Sequence, residues 1–121
     1  MSENIIDLKN LLLLIDQGKD MNANLCLDEG CHITGEDSKT LVKVINYFIN
    51  LLQPLTTLPL EIGLDLKEDG SLLTIMAYTE TEEPPKVSDN VAGALQEYNG
   101  GFEIVHQPGV NIQCKITFKN K

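Results

Sequence analysis

The sequence predicts an α+β fold, a two-layer α/β sandwich in which three helices cover one face of a mixed, mostly antiparallel sheet. The order of apolar patterns predicts it, because segments with helical spacing alternate with pairs of short segments that have strand spacing. Each helix has to bury one apolar stripe and the sheet one face, and two layers satisfy both requirements. The length of 121 residues predicts a single domain over residues 1–121.

The N-terminal segment is predicted to be a helix, because apolar residues recur there at helical spacing with charged residues between them. Ser2 can cap this helix and Gly18 can end it. Residues 22–27 alternate as a short strand does, and residues 31–34 follow a turn, so we expect these two segments to form a small hairpin. The apolar stripe of the helix consists of Ile5, Ile6, Leu8, Leu11, Leu12 and Ile15.

The second predicted helix is strongly amphipathic and follows a break at residues 35–38, where Asp37 or Ser38 can cap it. Pro54 stops this helix, because proline has no N–H with which to continue the hydrogen-bond ladder. We expect one face of the helix to be buried in the core. That face consists of Leu41, Val44, Ile45, Phe48, Ile49 and Leu52.

The C-terminal half is predicted to hold two hairpins, separated by a loop and a third helix. Residues 60–66 and 72–78 flank an Asp-Gly turn, which is typical of a hairpin. Residues 79–87 carry three glutamates and two prolines, so they form an acidic loop that cannot join a sheet. The third helix begins at Ser88 and ends at Asn-Gly-Gly, residues 99–101, where glycine can supply a positive φ. A last hairpin follows around a Pro-Gly turn.

The net charge of −9 opposes binding to nucleic acid or to an anionic membrane surface, because both would repel the chain. The apolar run at residues 11–15 is too short to cross a bilayer, and residues 1–4 carry no basic leader. We therefore expect a cytoplasmic protein with reduced thiols. The three cysteines have no metal-ligand spacing, and Cys26 and Cys114 alternate with apolar neighbours, so we expect small strand residues rather than reactive thiols.

Two segments carry a resemblance to a known family. Residues 44–52 form a helix with two asparagines, which Asp37 precedes, and residues 95–105 combine a helix end, a Gly-Gly turn and an outgoing strand. Together with the order of elements, they resemble the ATP-binding module of sensor histidine kinases, which belongs with the gyrase-type and Hsp90-type ATPases (GHKL, Bergerat fold). The resemblance extends from the first helix to Phe118.

The resemblance implies that Asn46 and Asn50 are the remnant of the family's asparagine box and would belong to a nucleotide site. In the family the second asparagine helps to hold the magnesium ion that bridges the phosphates, so Asn50 would be the metal ligand if Mg-ATP binds. The residues alone give a second interpretation. Asn46 and Asn50 lie four positions apart and share one helix face, as an ordinary solvent-facing polar stripe would.

The departures from the family pattern fall on the nucleotide site. Where the family has Asp-x-Gly-x-Gly, residues 79–83 contain no glycine, and Thr79 replaces the aspartate that binds adenine. Where a second glycine box should cradle phosphate at the start of the last helix, residues 86–90 contain no glycine and Asp89 lies in the path of phosphate. Each close like-charge contact with a triphosphate costs on the order of a few kcal/mol. The loop is also too short for an ATP lid.

Histidine phosphotransfer finds no support in the sequence. We expect the chain to lack the helical-hairpin dimerisation domain that carries the phosphorylated histidine in true kinases. His32 and His106 are expected to be surface or partly packed side chains. The loop glutamates Glu80, Glu82 and Glu83 can bind a cation, but an acidic loop beside prolines is more often simply solvated.

These observations favour a degenerate histidine kinase-like ATPase domain, a pseudoenzyme without cofactor. It would act as a protein-interaction or regulatory module, for example in two-component signal transduction, with a receiver domain, a kinase or a second copy as its partner. Two alternatives stay open. A divergent protein kinase of the anti-sigma-factor type would bind ATP and magnesium through Asn50. A small-ligand-binding module would show an apolar pocket, whereas an exposed apolar outer sheet face would favour a dimer.

Overall fold

The computed structural model describes residues 4–19 and 22–120, and within them the chain begins with an additional strand and then follows the predicted order of elements. The strands and helices are β1 (Asn4–Asp7), α1 (Leu8–Lys19), β2 (Ala23–Leu27), β3 (His32–Gly35), α2 (Lys39–Leu52), β4 (Leu60–Lys67), β5 (Gly70–Tyr78), α3 (Asn90–Gln96), β6 (Gly100–Gln107) and β7 (Asn111–Lys119). A short 3₁₀ turn, Gln53–Leu55, follows α2 at the proline.

The main sheet has five strands in the order β2-β4-β5-β7-β6. β2 pairs with β4 in parallel, and all other neighbours are antiparallel. Side chains alternate along each strand, so one sheet face is buried under the helices and the opposite face meets solvent. The predicted fold class, an α+β sandwich of three helices on a mixed, mostly antiparallel sheet, is confirmed.

The N-terminal predictions are partly wrong. Asn4–Asp7 form a strand that pairs with β3, so the first helix begins at Leu8. The Asp7 carboxylate caps this helix by accepting the Asn10 backbone N–H at 3.3 Å, whereas Ser2, the predicted cap, lies outside the described residues. The helical spacing of apolar residues misled here, because β-branched isoleucines also suit a strand that has a partner.

The predicted hairpin between residues 22–27 and 31–34 is also wrong. β2 joins the main sheet beside β4, while β3 pairs with β1 in a separate two-stranded sheet. The turn between β2 and β3 therefore separates two sheets. Local pattern cannot show this, because the choice of partner depends on strands that are distant along the chain. Gly18 does not end the first helix, which continues to Lys19.

Helix α2 is the centre of the core, and the six apolar residues predicted on its inner face are all buried. Its first turn is capped from a distance. The Tyr98 hydroxyl accepts the Leu41 N–H at 3.1 Å and donates to the Asp37 carbonyl at 2.9 Å. Ser38 makes no side-chain capping bond, and the Asp37 carboxylate accepts the Lys39 N–H at 2.9 Å. Gly35 makes room for this arrangement, because a Cβ there would lie 2.6 Å from the Tyr98 ring.

The end of the third helix differs from the prediction. α3 begins at Asn90, and the Ser88 hydroxyl accepts only the Asn90 N–H, in a turn before it. The positive φ falls on Asn99, at 58°, rather than on Gly100 or Gly101. Asparagine tolerates this conformation, and the Asn99 side-chain amide donates to the Lys119 carbonyl at 2.9 Å. Gly100 instead serves close packing, because a Cβ there would lie 3.0 Å from the Phe118 ring.

The three cysteines are free thiols in different surroundings: Cys31 and Cys114 are buried in the core, and Cys26 is exposed on the open face of β2. Burial raises the pKa of the Cys114 thiol from 9.0 to about 12. A thiol that stays protonated is a weak nucleophile, which supports the prediction of an inert packing role for Cys114. Within the described part of the chain, no helix is long and apolar enough to cross a membrane.

Replacing Tyr98 with phenylalanine is expected to lower the free energy of unfolding by about 1–3 kcal/mol, because the buried Leu41 N–H and Asp37 carbonyl lose their partner. For a chain of this length that corresponds to a fall in melting temperature of roughly 4–12 °C, measured by calorimetry. Tyr78→Phe is the matched control, because Tyr78 is exposed. Equal melting temperatures for the two variants would contradict the role of the hydroxyl.

The stability of the fold is expected to fall as the pH rises above 9.0. The folded thiol of Cys114 has the raised pKa, so its stabilising contribution is complete below pH 9.0 and is lost as the pH rises towards about 12. Over that window each pH unit costs about 1.4 kcal/mol per group. Burial also raises the pKa of Tyr98, which adds to the loss at the alkaline end.

Urea unfolding of the protein and of Cys114→Val from about pH 8 to about pH 11 tests this expectation, and the variant should show the shallower decline. Parallel curves for the two proteins would mean that Cys114 does not contribute to the alkaline loss.

Candidate functional site

The predicted asparagine remnant lies on α2, and its two members differ in burial. Asn46 is half-buried, and its side-chain oxygen is fully buried without a hydrogen-bond donor among the described residues. Asn50, one turn later, is exposed. Asn46 therefore carries an acceptor that its protein surroundings leave unsatisfied, which costs free energy unless water or a ligand supplies a donor.

Thr79, in the place of the family's adenine-binding aspartate, is used for local structure. It is buried at the end of β5, where its N–H donates to the Val110 carbonyl at 3.1 Å. Its hydroxyl accepts the Thr81 N–H at 3.3 Å, which closes a tight turn out of the sheet. A neutral hydroxyl held in this way provides neither the charge nor the two acceptor oxygens of a carboxylate.

The segment between β5 and α3, residues 79–89, is held down at both ends. We call it the tethered loop. Near its start, the Thr81 carbonyl accepts the Gly109 N–H at 3.3 Å and lies 3.0 Å from His106 Nε2. Near its end, the Ser88 N–H donates to the Tyr47 hydroxyl at 2.8 Å. The loop therefore spans from the β6–β7 turn to the half-buried Tyr47 of α2, the residue that follows Asn46.

Sequence reasoning missed Tyr47 as a site residue and assigned His106 no contact. Neither contact has a local sequence signal, because each joins segments that are tens of residues apart. His106 is half-buried, as expected of a partly packed side chain, and His32 is exposed on β3 near Asp7. The structure does not bring the two histidines together, since they lie in different sheets.

The charges around the tethered loop are mostly negative. Glu80, Glu82, Glu83 and Asp89 are all exposed, and Lys86 is the one basic residue of the loop. No group of three or more His, Cys, Asp or Glu side chains is arranged to hold a metal ion in the described ranges. The glutamates therefore have the placement of a solvated acidic loop, and they would repel a triphosphate.

The surface beside the tethered loop contains two shallow, open grooves. One, of about 340 Å³, lies between Tyr47 and residues 86–89. The other, of about 500 Å³, lies between the loop after α2 and residues 78–81. Both are too open to enclose a small molecule as most ligand sites do.

The residues present do not fit adenosine triphosphate and magnesium. The adenine acceptor is a threonine already engaged with its own loop, and the phosphate-binding glycines are absent. The start of α3 presents Asp89, a carboxylate that would repel phosphate, and the tethered loop is bonded to α2 through Tyr47. The unsatisfied oxygen of Asn46 could accept a hydrogen bond from a bound group, as could the oxygen of Asn111, which is likewise buried without a donor among the described residues.

No protein-family model and no curated protein matches the chain in sequence. Solved structures match it in fold. The histidine kinase domain of the Escherichia coli osmosensor EnvZ superposes with a TM-score of 0.76 at 11% identity, covering 100% of this chain and 91% of that one. Histidine kinase AdeS of Acinetobacter baumannii gives 0.70 at 14% identity, covering 99% and 69%.

The ATP-binding domain of PrrB from Mycobacterium tuberculosis gives a TM-score of 0.66 at 14% identity, covering 99% of this chain and 100% of that one. At such low identity the likeness concerns the fold. The chain has the fold of a histidine kinase ATP-binding domain, at 11–14% sequence identity to these domains.

Proposed function

We propose that this domain is a degenerate histidine kinase-like ATPase domain that binds no nucleotide and acts as a protein-interaction or regulatory module in two-component signalling. The observation that carries the proposal is the tethered loop. A functional ATPase of this fold needs a lid that opens and closes over the nucleotide, whereas here the corresponding segment is short and bonded to α2 and to the β6–β7 turn.

Nucleotide entry would have to overcome two costs. The Ser88–Tyr47 hydrogen bond and the contacts of the Thr81 carbonyl would have to break, each worth about 0.5–1.5 kcal/mol net. The exposed carboxylates of the loop would then face the phosphates, and magnesium would have to be held without a described cluster of acidic ligands. The gain to set against these costs is a hydrogen-bond donor for the Asn46 oxygen.

The partner is proposed to be a protein, in the cytoplasm where receiver domains and kinases act. The net charge of −9 favours a partner with a basic contact surface and disfavours nucleic acid and anionic membranes. Self-association is the third possibility, and it must overcome this charge. The open grooves give the small-ligand hypothesis no support, because ligand sites are usually enclosed.

A divergent binder of ATP and magnesium, of the anti-sigma-factor type, is the second candidate. The buried, unsatisfied oxygen of Asn46 favours it, because native structures rarely leave such an acceptor without a donor. In this candidate Asn50 would contribute to the metal site, and the tethered loop would have to release Tyr47 on binding.

Titration calorimetry with Mg-ATP is expected to give no binding heat, and the melting temperature should not rise at millimolar nucleotide. An active histidine kinase ATP-binding domain, titrated in the same buffer, provides the positive control. Binding tighter than about 1 mM that Asn50→Ala abolishes would establish the second candidate instead.

Tyr47→Phe is expected to release the end of the tethered loop, because the Ser88 N–H loses its acceptor. Hydrogen exchange at residues 86–90 should accelerate by roughly 2- to 12-fold, which corresponds to one net hydrogen bond. Tyr78→Phe provides the control. Unchanged exchange at these residues in Tyr47→Phe would show that the loop is held by other contacts.

A further inference from the structure

β6 is an edge strand of unusual openness. It is eight residues long, lies last in the sheet order and pairs only with β7 among the described elements. Its sequence contains neither proline nor lysine, the residues that most often block an edge. An edge of this length presents a row of backbone donors and acceptors to a further strand.

The hydrogen-bond pattern shows which backbone groups face outwards. The Lys119 N–H donates to the Asn99 carbonyl, so in this register the odd-numbered residues of β6 direct their backbone groups towards β7. The Thr79 N–H donates to the Val110 carbonyl, which places the even-numbered backbone groups of β7 towards β5 and agrees with this assignment. Gly100, Phe102, Ile104 and His106 therefore direct their N–H and C=O groups to the open edge.

The helix layer covers β6 only in part, since α3 contacts the strand and the Phe102 ring packs on Phe48 of α2 with ring centroids 5.4 Å apart. On β7 the inward-facing residues Ile112, Cys114 and Ile116 are fully buried. Their cross-strand neighbours on β6, which are His106, Ile104 and Phe102, stay half-buried although they point to the same side. An apolar flank therefore runs along the open edge, where a further strand would cover it.

We propose that β6 pairs antiparallel with β6 of a second copy of this chain, with Ile104 on the twofold axis. Residues on opposite strands must face the same side and must both direct backbone groups to the seam. Alignment on Ile104 satisfies both conditions for residues 101–107. It places Ile104 against its own counterpart, Phe102 against His106, and Glu103 against Val105 of the second copy.

Charge selects this register over the shift that places Glu103 on the axis, and the opposite shift, with Val105 on the axis, pairs only residues 103–107 of β6. A shift that places Glu103 on the axis still pairs the backbone groups that point to the open edge. It sets the two Glu103 carboxylates directly opposite each other, however, which is destabilising. In the proposed register Glu103 faces an apolar side chain of the second copy and stays beside Lys115 of its own chain. The strand is therefore complementary to itself, which is the requirement for a twofold interface.

The resulting dimer would join the two five-stranded sheets into one, with both helix layers on the same side. The seam of residues 101–107 is roughly 23 Å long, which is short for a stable interface. Two chains of net charge −9 also repel each other, so added salt should strengthen the association. We expect a weak dimer that forms at high micromolar concentration.

Sedimentation equilibrium in moderate salt, up to about 500 µM protein, tests the pairing through Val105. Val105→Lys places a cation opposite Glu103 of the second copy, twice per dimer, and should tighten association about three- to tenfold. Val105→Glu should weaken it by a similar factor. Asn24→Lys and Asn24→Glu change the net charge equally at an exposed site on β2, the opposite edge of the sheet, and they should have much smaller effects.

A second test removes a backbone donor from the seam. Ile104→Pro lacks the N–H at the axis, which does not bond to β7, and Ile104→Val is the control that retains this N–H. The proline variant should stay monomeric at every concentration, and the valine variant should dimerise as the parent does. Melting temperatures of both variants report whether the fold is retained. If the proline variant does not fold, the comparison of Val105→Lys with Val105→Glu still tests the proposal.

The register is tested by disulfide formation in a Cys26→Ser background, since Cys26 is the exposed thiol. Residues 103 and 105 face each other as a non-hydrogen-bonded pair, whose Cα separation suits a disulfide. A mixture of Glu103→Cys and Val105→Cys chains should oxidise to the mixed dimer well above either homodimer. Cross-linking of Glu103→Cys alone would place the glutamate on the axis and overturn the register.

The proposal is overturned if the protein stays monomeric at about 500 µM and forms no mixed disulfide. It is also overturned if the Ile104→Pro variant still dimerises. This inference deepens the proposed function by naming a second copy as a partner. The two can fail separately, because the dimer is measured without nucleotide and the Mg-ATP titration does not depend on association.

Discussion

The position of the central helix depends on one hydroxyl group. Tyr98 lies just after α3, yet its hydroxyl bonds both to the Leu41 N–H in the first turn of α2 and to the Asp37 carbonyl before it. Its ring fits against Gly35, where any side chain would collide. Three segments that are distant in sequence therefore meet at one buried side chain. Because α2 carries six buried residues of the core, fixing its start fixes the helix layer on the sheet.

The scaffold and the nucleotide site of this fold rest on different residues. The core consists of apolar residues from the three helices and from the strands of both sheets, and none of the residues described there is a glycine. Asn46 and Asn50 lie on α2 outside its six buried core residues, and Thr79 begins the tethered loop. Since apolar side chains fill the core, the sandwich does not depend on a glycine-rich phosphate loop.

The tethered loop is held in place by hydrogen bonds to groups from other elements. Tyr47 belongs to α2, His106 to β6 and Gly109 to the following turn. Together they hold the segment against the rest of the domain near both of its ends. The open edge of β6 differs from this loop. Among the described residues, no strand pairs with its outward-facing backbone groups, and its inward-facing side chains stay half-buried. One end of the domain is closed and one edge is left available for pairing.

The sequence by itself determined the elements from β4 onwards, the buried face of α2 and the α+β class, because each depends on local periodicity and turn chemistry. It also predicted that Asn46 and Asn50 lie on the second helix and that Thr79 follows a strand, as they do. Only the tertiary structure decided that β1 is a strand, that β3 pairs with it, that Asn99 takes the positive φ, and that Tyr98 and Tyr47 hold α2 and the loop. These features join residues far apart in the chain, and such partners become neighbours only when the core has formed.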